Sequence, residues 1–376
     1  MKKTVRYIFA ALFLLSGYIA DCQSFYDSYY RKTETDTSGN RKISLHIYNN
    51  NFLRNNEYFG PYTEGITYIG SIFQPELQLT LNKNISVSAG WYFRQFYGHD
   101  GFEQSLPVIK VKYTISPHTR LLFGQLEGQL RHGFIEPIYN TDNYFVKNPE
   151  YGIQFLVNRE RLQTDFFMDW EKFLLPGEAH QEIITGGLLG SYRFGNTLTE
   201  KGLTLNIQSI IHHFGGQVDN SDNPLQTRAN LVAGFAYAFL TETKALRKIV
   251  LSSSYLQALE LSQTNTIPYE SGFGMLNTIT MENRWAKLST GWFHGEYFFT
   301  PLGDYLFQSI SQFNNWYVGE KRNLIISKFL IGEQIFEGVQ FGIRFESYYD
   351  TERKSNDFSY GMNICLDTSV FEKILR

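Results

Sequence analysis

Five carboxylates crowd one short stretch of the chain: Asp165, Asp169, Glu171, Glu178 and Glu182. Paired carboxylates are what acid–base hydrolysis of glycosides uses and what calcium takes as ligands. This spacing matches no calcium loop. The competing reading is an acidic wall facing cationic neighbours, which the sequence offers in Arg94, Lys110, Lys112 and Arg131. His212 and His213 are adjacent, so in a strand their rings point to opposite faces and serve one metal poorly. Gly-x-Ser-x-Gly, a Walker loop, His-Glu-x-x-His and a cysteine pair are all missing. The expectation is a protein that is not an enzyme and uses no cofactor or metal. A barrel-embedded hydrolase stays as a minor alternative, since catalytic triads are set by geometry and not by spacing.

The segments that carry these residues alternate with period two. In 85–97, Ile85, Val87, Ala89, Trp91 and Phe93 share one face and Ser86, Ser88, Gly90 and Arg94 the other. Ile109, Val111, Tyr113 and Ile115 oppose Lys110 and Lys112. Leu162, Phe166, Met168 and Trp170 oppose Asp165, Asp169 and Glu171, and Val339, Phe341, Ile343 and Phe345 oppose Gln340, Arg344 and Glu346. An Arg or Lys facing mid-bilayer lipid costs about 2–4 kcal/mol, so the charged faces must turn inward, onto water. The aromatics Phe96, Tyr97, Phe298, Phe299, Tyr348 and Tyr349 sit near strand ends, where interfacial girdles form. A secreted β-sandwich also alternates, but its strands are mostly about five or six residues. Many runs here reach ten or more.

Composition agrees. The mean hydropathy is slightly negative, and no segment after the first residues is long and apolar enough to span as a helix. A barrel hides its apolar half in alternation. Residues 1–22 read as a secretory signal: Lys2, Lys3 and Arg6, then an apolar centre, then Ser16, Gly17, Ala20 and Cys22 before a cut at Gln23. Acylation of Cys22 is the alternative, with Asp21 a poor match to the small residue such a signal prefers. Cleavage removes three positive charges and one negative, taking the formal charge from -3 to -5. That is mild for this length and implies no nucleic-acid partner. The mature chain, a single barrel domain over 23–376, keeps one cysteine, Cys365, and so forms no internal disulfide.

Short and long connectors take turns. Residues 82–84, 116–118, 158–161 and 282–284 are tight, turn-rich links, whereas 97–105, 131–150, 174–181, 215–227 and 300–321 are long. Short periplasmic turns and long outer loops mark an outer-membrane barrel. The first strand is expected over 43–52, the fifth over 120–130 and the last over 358–366. Treating 300–321 as one outer loop, with 312–318 not counted as a strand, keeps the rhythm and an even number. The fold expected is all-β, a transmembrane antiparallel up-and-down β-barrel of about 16 strands, with about 14 or 18 as alternatives.

The most distinctive block is Gly124-Gln125-Leu126-Glu127-Gly128-Gln129-Leu130-Arg131-His132-Gly133-Phe134-Ile135-Glu136-Pro137-Ile138-Tyr139, which leaves a strand and enters a long connector. With Glu150-Tyr151-Gly152-Ile153-Gln154-Phe155 and the acidic run 165–171, it resembles poorly characterised outer-membrane barrel proteins of the Bacteroidota. The resemblance implies a porin-like barrel in the cell outer membrane and assigns no active site. One departure is the C-terminus: the chain ends Phe371-Glu372-Lys373-Ile374-Leu375-Arg376, where such barrels commonly finish on an aromatic. The function expected is passive passage of small polar solutes. Arg94, Lys110, Lys112, Arg131, Asp165, Asp169, Glu171, Arg344 and Glu346 are the pore-lining or constriction candidates, and 131–150 is a connector that could narrow the lumen. A non-conducting barrel for assembly, secretion or surface binding is the alternative. Partners are outer-membrane lipid and small polar solutes, with a homo-oligomer left open.

Overall fold

The structure, a computed structural model, describes residues 41–195, 201–216, 221–241, 243, 245–313 and 319–375. The expected signal over 1–22, and residues 314–318 of the long loop, lie outside the described residues. The strands are β1 (Lys42–Glu57), β2 (Thr67–Thr80), β3 (Ile85–Phe96), β4 (Gln104–Ser116), β5 (Thr119–Gln125), β6 (Tyr151–Asn158), β7 (Leu162–Lys172) and β8 (Ile183–Arg193). The second half adds β9 (Gly202–Phe214), β10 (Gln226–Leu240), β11 (Lys248–Glu260), β12 (Ser271–Glu282), β13 (Ala286–Glu296), β14 (Lys321–Phe336), β15 (Val339–Asp350) and β16 (Ser355–Ile374). Each pairs antiparallel with its sequence neighbours, and β1 pairs with β16 to close a 16-stranded barrel. Closure leaves no edge strand with unpaired backbone, a requirement in hydrocarbon.

The barrel is apolar outside and polar inside. On β3, Ser86, Ser88 and Arg94 are buried, while Trp91 is 43% exposed on the opposite face. On β4, Ile109 is 60% exposed and its neighbour Val108 not at all. The short connectors gather at one rim, the periplasmic one by their length, and the long ones at the other. Three connectors break the rhythm: 351–354 is tight at the outer rim, and 194–201 and 241–247 are longer than tight turns at the inner rim.

Three boundaries differ from the sequence expectation. β1 continues past residue 52 to Glu57, because Leu53 to Glu57 keep their ladder partners on β16 although their side chains are mostly polar. β5 stops at Gln125 and not at 130. Gly124 has φ +95°, and a Cβ there would lie 2.2 Å from the Ile109 carbonyl oxygen, so the ladder ends where the chain turns inward. β16 runs on from residue 366 to Ile374, paired with Lys42, so the non-aromatic ending still belongs to a closing strand. The girdle also needs correcting. Tyr97 and Tyr349 face out, but Phe298, Phe299 and Tyr348 are fully buried. Tyr348 occupies an inward position of β15, and Phe298 and Phe299 lie past the end of β13 on a connector that enters the lumen.

Candidate functional site

After Gln125 the chain folds into the barrel and returns at Tyr151. The apolar content of this connector explains the direction: Leu126, Leu130, Ile138, Tyr139, Tyr144 and Phe145 are all buried. Burial is worth roughly 1.5–3 kcal/mol for each large side chain. A tight helical turn at Gln129–His132 ends on Gly133 in the left-handed region (φ 79°). A second turn, Asn143–Val146, follows. The connector between β13 and β14 enters as well, and its Phe298, Phe299, Leu302, Leu306, Phe307 and Ile310 join Ile138 and Tyr139 in one apolar cluster. The two interlock through Asn140 N–H, which donates to the Leu302 carbonyl at 2.7 Å. Gly303 lies so close to the Pro137 carbonyl oxygen that a Cβ would sit 2.0 Å from it.

Charged side chains on the wall tie the connector in from many sides. Arg54 of β1 donates to Asp142 (3.2 Å) and pairs with Glu346 of β15 (2.8 Å). Asp142 also accepts from Asn56 at 2.5 Å. Glu136 meets Lys328 of β14 and accepts from the Tyr348 hydroxyl at 2.6 Å. Lys147 pairs with Glu171 of β7 at 2.8 Å, and its carbonyl accepts from Arg94 at 2.6 Å. A connector touching β1, β3, β7, β14 and β15 together can only lie inside the lumen.

His132 stands at the centre. Its Nδ1 is 2.7 Å from Asp165 and its Nε2 2.7 Å from Glu150, and its side chain has no exposed surface. The ring stacks on Phe167 (3.8 Å between centroids, 15° between planes), and Phe167 in turn fills the space above Gly187. Burial opposes a charge on the imidazole, but the Glu150 and Asp165 carboxylates outweigh it, and its pKa is pushed up to about 10. Glu150 also accepts from the Tyr139 hydroxyl (3.0 Å) and the Gln129 N–H (3.0 Å). Gly128 makes room, since a Cβ there would collide with the Glu150 carboxylate. Between this connector and the wall of β1–β5 lies a cavity lined by Tyr48, Gln74, Tyr92, Lys110, Arg131 and Tyr144, among others. Among the described residues, Glu150 is the one acid lining it.

The sequence-derived candidates are therefore brought together, in a different arrangement from the open cross-pore field expected of them. Asp165 holds His132, Asp169 accepts from the Tyr151 N–H (2.8 Å), and Glu171 holds Lys147. Arg94 binds the connector backbone, Arg344 pairs with Glu346 at 2.6 Å, and Arg131 lies 3.7 Å from Glu127. Lys110 lies 3.8 Å from Glu76, and Lys112 is buried on the same inward face. His212 turns inward, 3.4 Å from Glu171, and His213 turns outward to the Thr227 hydroxyl at 2.8 Å, as adjacent strand positions require. Sequence reasoning missed Arg54, Glu136, Asp142, His132 and Glu150 as site residues. His132 and Glu136 lay within the block singled out as distinctive; Arg54 lay beyond the expected end of β1.

Solved structures share the architecture. The loop L8 deletion mutant of OmpT, an outer membrane protein of Vibrio cholerae, superposes with a TM-score of 0.51 at 11% identity, over 86% of this chain and 99% of that one. OprD of Pseudomonas aeruginosa gives 0.50 at 11% identity, over 91% and 99%. OpdL of Pseudomonas aeruginosa gives 0.50 at 12% identity, over 88% and 99%. At this identity the likeness establishes the fold alone, a β-barrel of the outer-membrane type; it is the closed barrel's apolar outward face that places the protein in the outer membrane. No curated protein matches the chain. A family model, described as Lipid A 3'-O-deacylase-type, matches residues 33–373. That description is an enzyme's, which overturns the expectation that the protein is not an enzyme. The chain belongs to the Lipid A 3'-O-deacylase-type family.

Proposed function

We propose that the protein is an outer-membrane hydrolase that removes an ester-linked acyl chain from a lipid A-type glycolipid. One observation carries the reading beyond the family match: Glu150, the acid lining the cavity, heads the buried row Glu150–His132–Asp165. In this reading Glu150 takes a proton from a water in the cavity as the water oxygen attacks the ester carbonyl. The proton then passes to the departing alkoxide oxygen, giving a free fatty acid and a sugar hydroxyl. His132 fixes the Glu150 carboxylate and, held charged by two carboxylates, stabilises its ionised form; Asp165 fixes the ring from behind. Lys110 on the wall and Arg131 on the connector supply positive charge beside the cavity, suited to an oxyanion or a phosphorylated sugar.

Purified, refolded protein incubated with hexa-acylated lipid A in detergent micelles is expected to yield a glycolipid lighter by one acyl chain in the mass spectrum. Glu150→Gln is expected to lower the rate by about 10²–10⁴-fold, the range for a general base. Intact lipid A after prolonged incubation with folded protein would sink the proposal.

The two inward connectors, with Phe298, Phe299, Phe307 and Tyr348 fully buried between them, speak against free passage of solutes. Planar-bilayer recordings are expected to show no conductance steps. Regular steps from the wild-type protein would restore the channel reading. Export with removal of residues 1–22 belongs to the same proposal, and N-terminal sequencing of the membrane-resident protein should begin at Gln23.

A further inference from the structure

The outward surface carries a polar ladder that runs from the girdle residue Tyr97 down among apolar neighbours. Asn49 and Asn51 are the eighth and tenth residues of the 16-residue β1, on its outward face, and Asn51 is exposed. Tyr97 Oη donates to Asn51 Oδ1 (2.8 Å), Asn51 Nδ2 donates to Asn49 Oδ1 (2.7 Å), and Asn49 Nδ2 donates to the Ile72 carbonyl (3.0 Å). On either side the surface is apolar: Ile364 and Met362 of β16, Ile69 and Phe73 of β2, all 39–45% exposed. Ser71, directly opposite Asn51 in the ladder, extends the polar strip onto β2.

An amide offers two N–H donors and two acceptor lone pairs. The internal bonds use one donor and one acceptor of each asparagine, which leaves one of each for a further partner. Lipid tails offer neither, so polar groups at this depth are costly unless a partner meets them. The strip is uncharged, which does not suit a phosphorylated headgroup. It is self-complementary: an asparagine amide pairs with another asparagine amide by two hydrogen bonds, and a two-fold axis along the membrane normal sets the same patch against itself. We infer that the outward face of β1–β2, centred on Asn51 and Asn49, is the contact between two copies of this chain in the membrane. It names the protein-facing side for the homo-oligomer that the sequence left open, and it is independent of the hydrolase reading.

The test uses the full chain in native outer membrane, with Cys365 left in place because it is buried. Asn51→Cys is oxidised with copper-phenanthroline beside the control Ile207→Cys, which lies on β9, halfway round the barrel, and is 53% exposed. The expected result is a disulfide-linked dimer from Asn51→Cys alone. A dimer band from neither variant, or equally from both, overturns the inference; a lipid seated on the strip gives the first of these outcomes. The double variant Asn49→Leu, Asn51→Leu restores an ordinary apolar surface and is expected to lose the dimer in mild detergent while keeping the heat-modifiable gel shift of a folded barrel. Unchanged dimer content in that folded variant would also overturn it.

Discussion

Arg54 Nη2 lies 2.8 Å from Glu346 Oε2, and neither side chain is reached by solvent. The pair joins β1 to β15 across the β16 seam, and the same guanidinium reaches Asp142 on the inward connector. Removing one partner of a buried ion pair costs about 3–5 kcal/mol, because the other charge stays buried. Arg54→Met is expected to destabilise the protein by about that amount, measured as a lower urea midpoint for unfolding from lipid vesicles. An unchanged midpoint would mean that the connector is not held by this pair.

His132 makes stability pH-dependent. Its folded pKa of about 10 lies above the unfolded value near 6.5. The folded state therefore binds the proton more tightly, so the stabilisation is fully present below about pH 6.5 and is lost as pH rises through 10. The urea midpoint should fall between pH 7 and 10.5 in the wild type. In His132→Asn it should start lower and lose this slope; an equal slope in both proteins would assign the alkaline loss to another group.

Asp304 titrates with the opposite consequence at neutral pH. Burial, reinforced by Glu136, pushes its carboxyl up to about 8, so the folded state favours the neutral acid. With the folded pKa above the unfolded one near 3.9, its ionisation subtracts from stability progressively from about pH 4 to 8, and the full penalty stands above 8. The side chain accepts from the Leu306 N–H (2.9 Å), which an amide oxygen can also do. Asp304→Asn is expected to raise the midpoint at pH 9 and leave it nearly unchanged at pH 4. A variant no more stable than wild type at pH 9 refutes this account.

The barrel was legible because its determinants are local and repeated. Ile109 and Lys110 must face opposite ways whatever lies beyond them, and an alternation repeated along the chain fixes inside, outside and an even strand number. The site was legible only in part. Asp165 and Glu171 announced a charged inner wall, but their partners, His132 and Lys147, lie on a connector whose direction no periodicity encodes. Tyr348 and Phe298 were read as girdle residues for the same reason: an aromatic near a strand end looks alike whether it meets the interface or an inward loop. The proposed catalytic row was hidden most deeply, since Glu150 and Asp165 lie 18 and 33 residues from His132 in sequence and meet it only in the lumen.

Two adjacent glycines on β8 separate the inner packing from the outer surface. Gly187 faces inward, where a Cβ would come within 2.1 Å of the Phe167 ring, the ring on which His132 stacks. Gly186 faces the other way and a Cβ there meets nothing within 4 Å. Gly187→Ala must push Phe167 off its place and tilt His132 away from Glu150 and Asp165, at the cost of about 1–3 kcal/mol typical of overpacking. Gly186→Ala should leave both stability and hydrolysis of lipid A as in the wild type, because the added methyl meets only lipid. Urea midpoints and acyl-release rates of the two variants, compared side by side, check the claim. Equal behaviour of the two would mean that the Phe167–His132 stack does not position the row of charges beside the cavity.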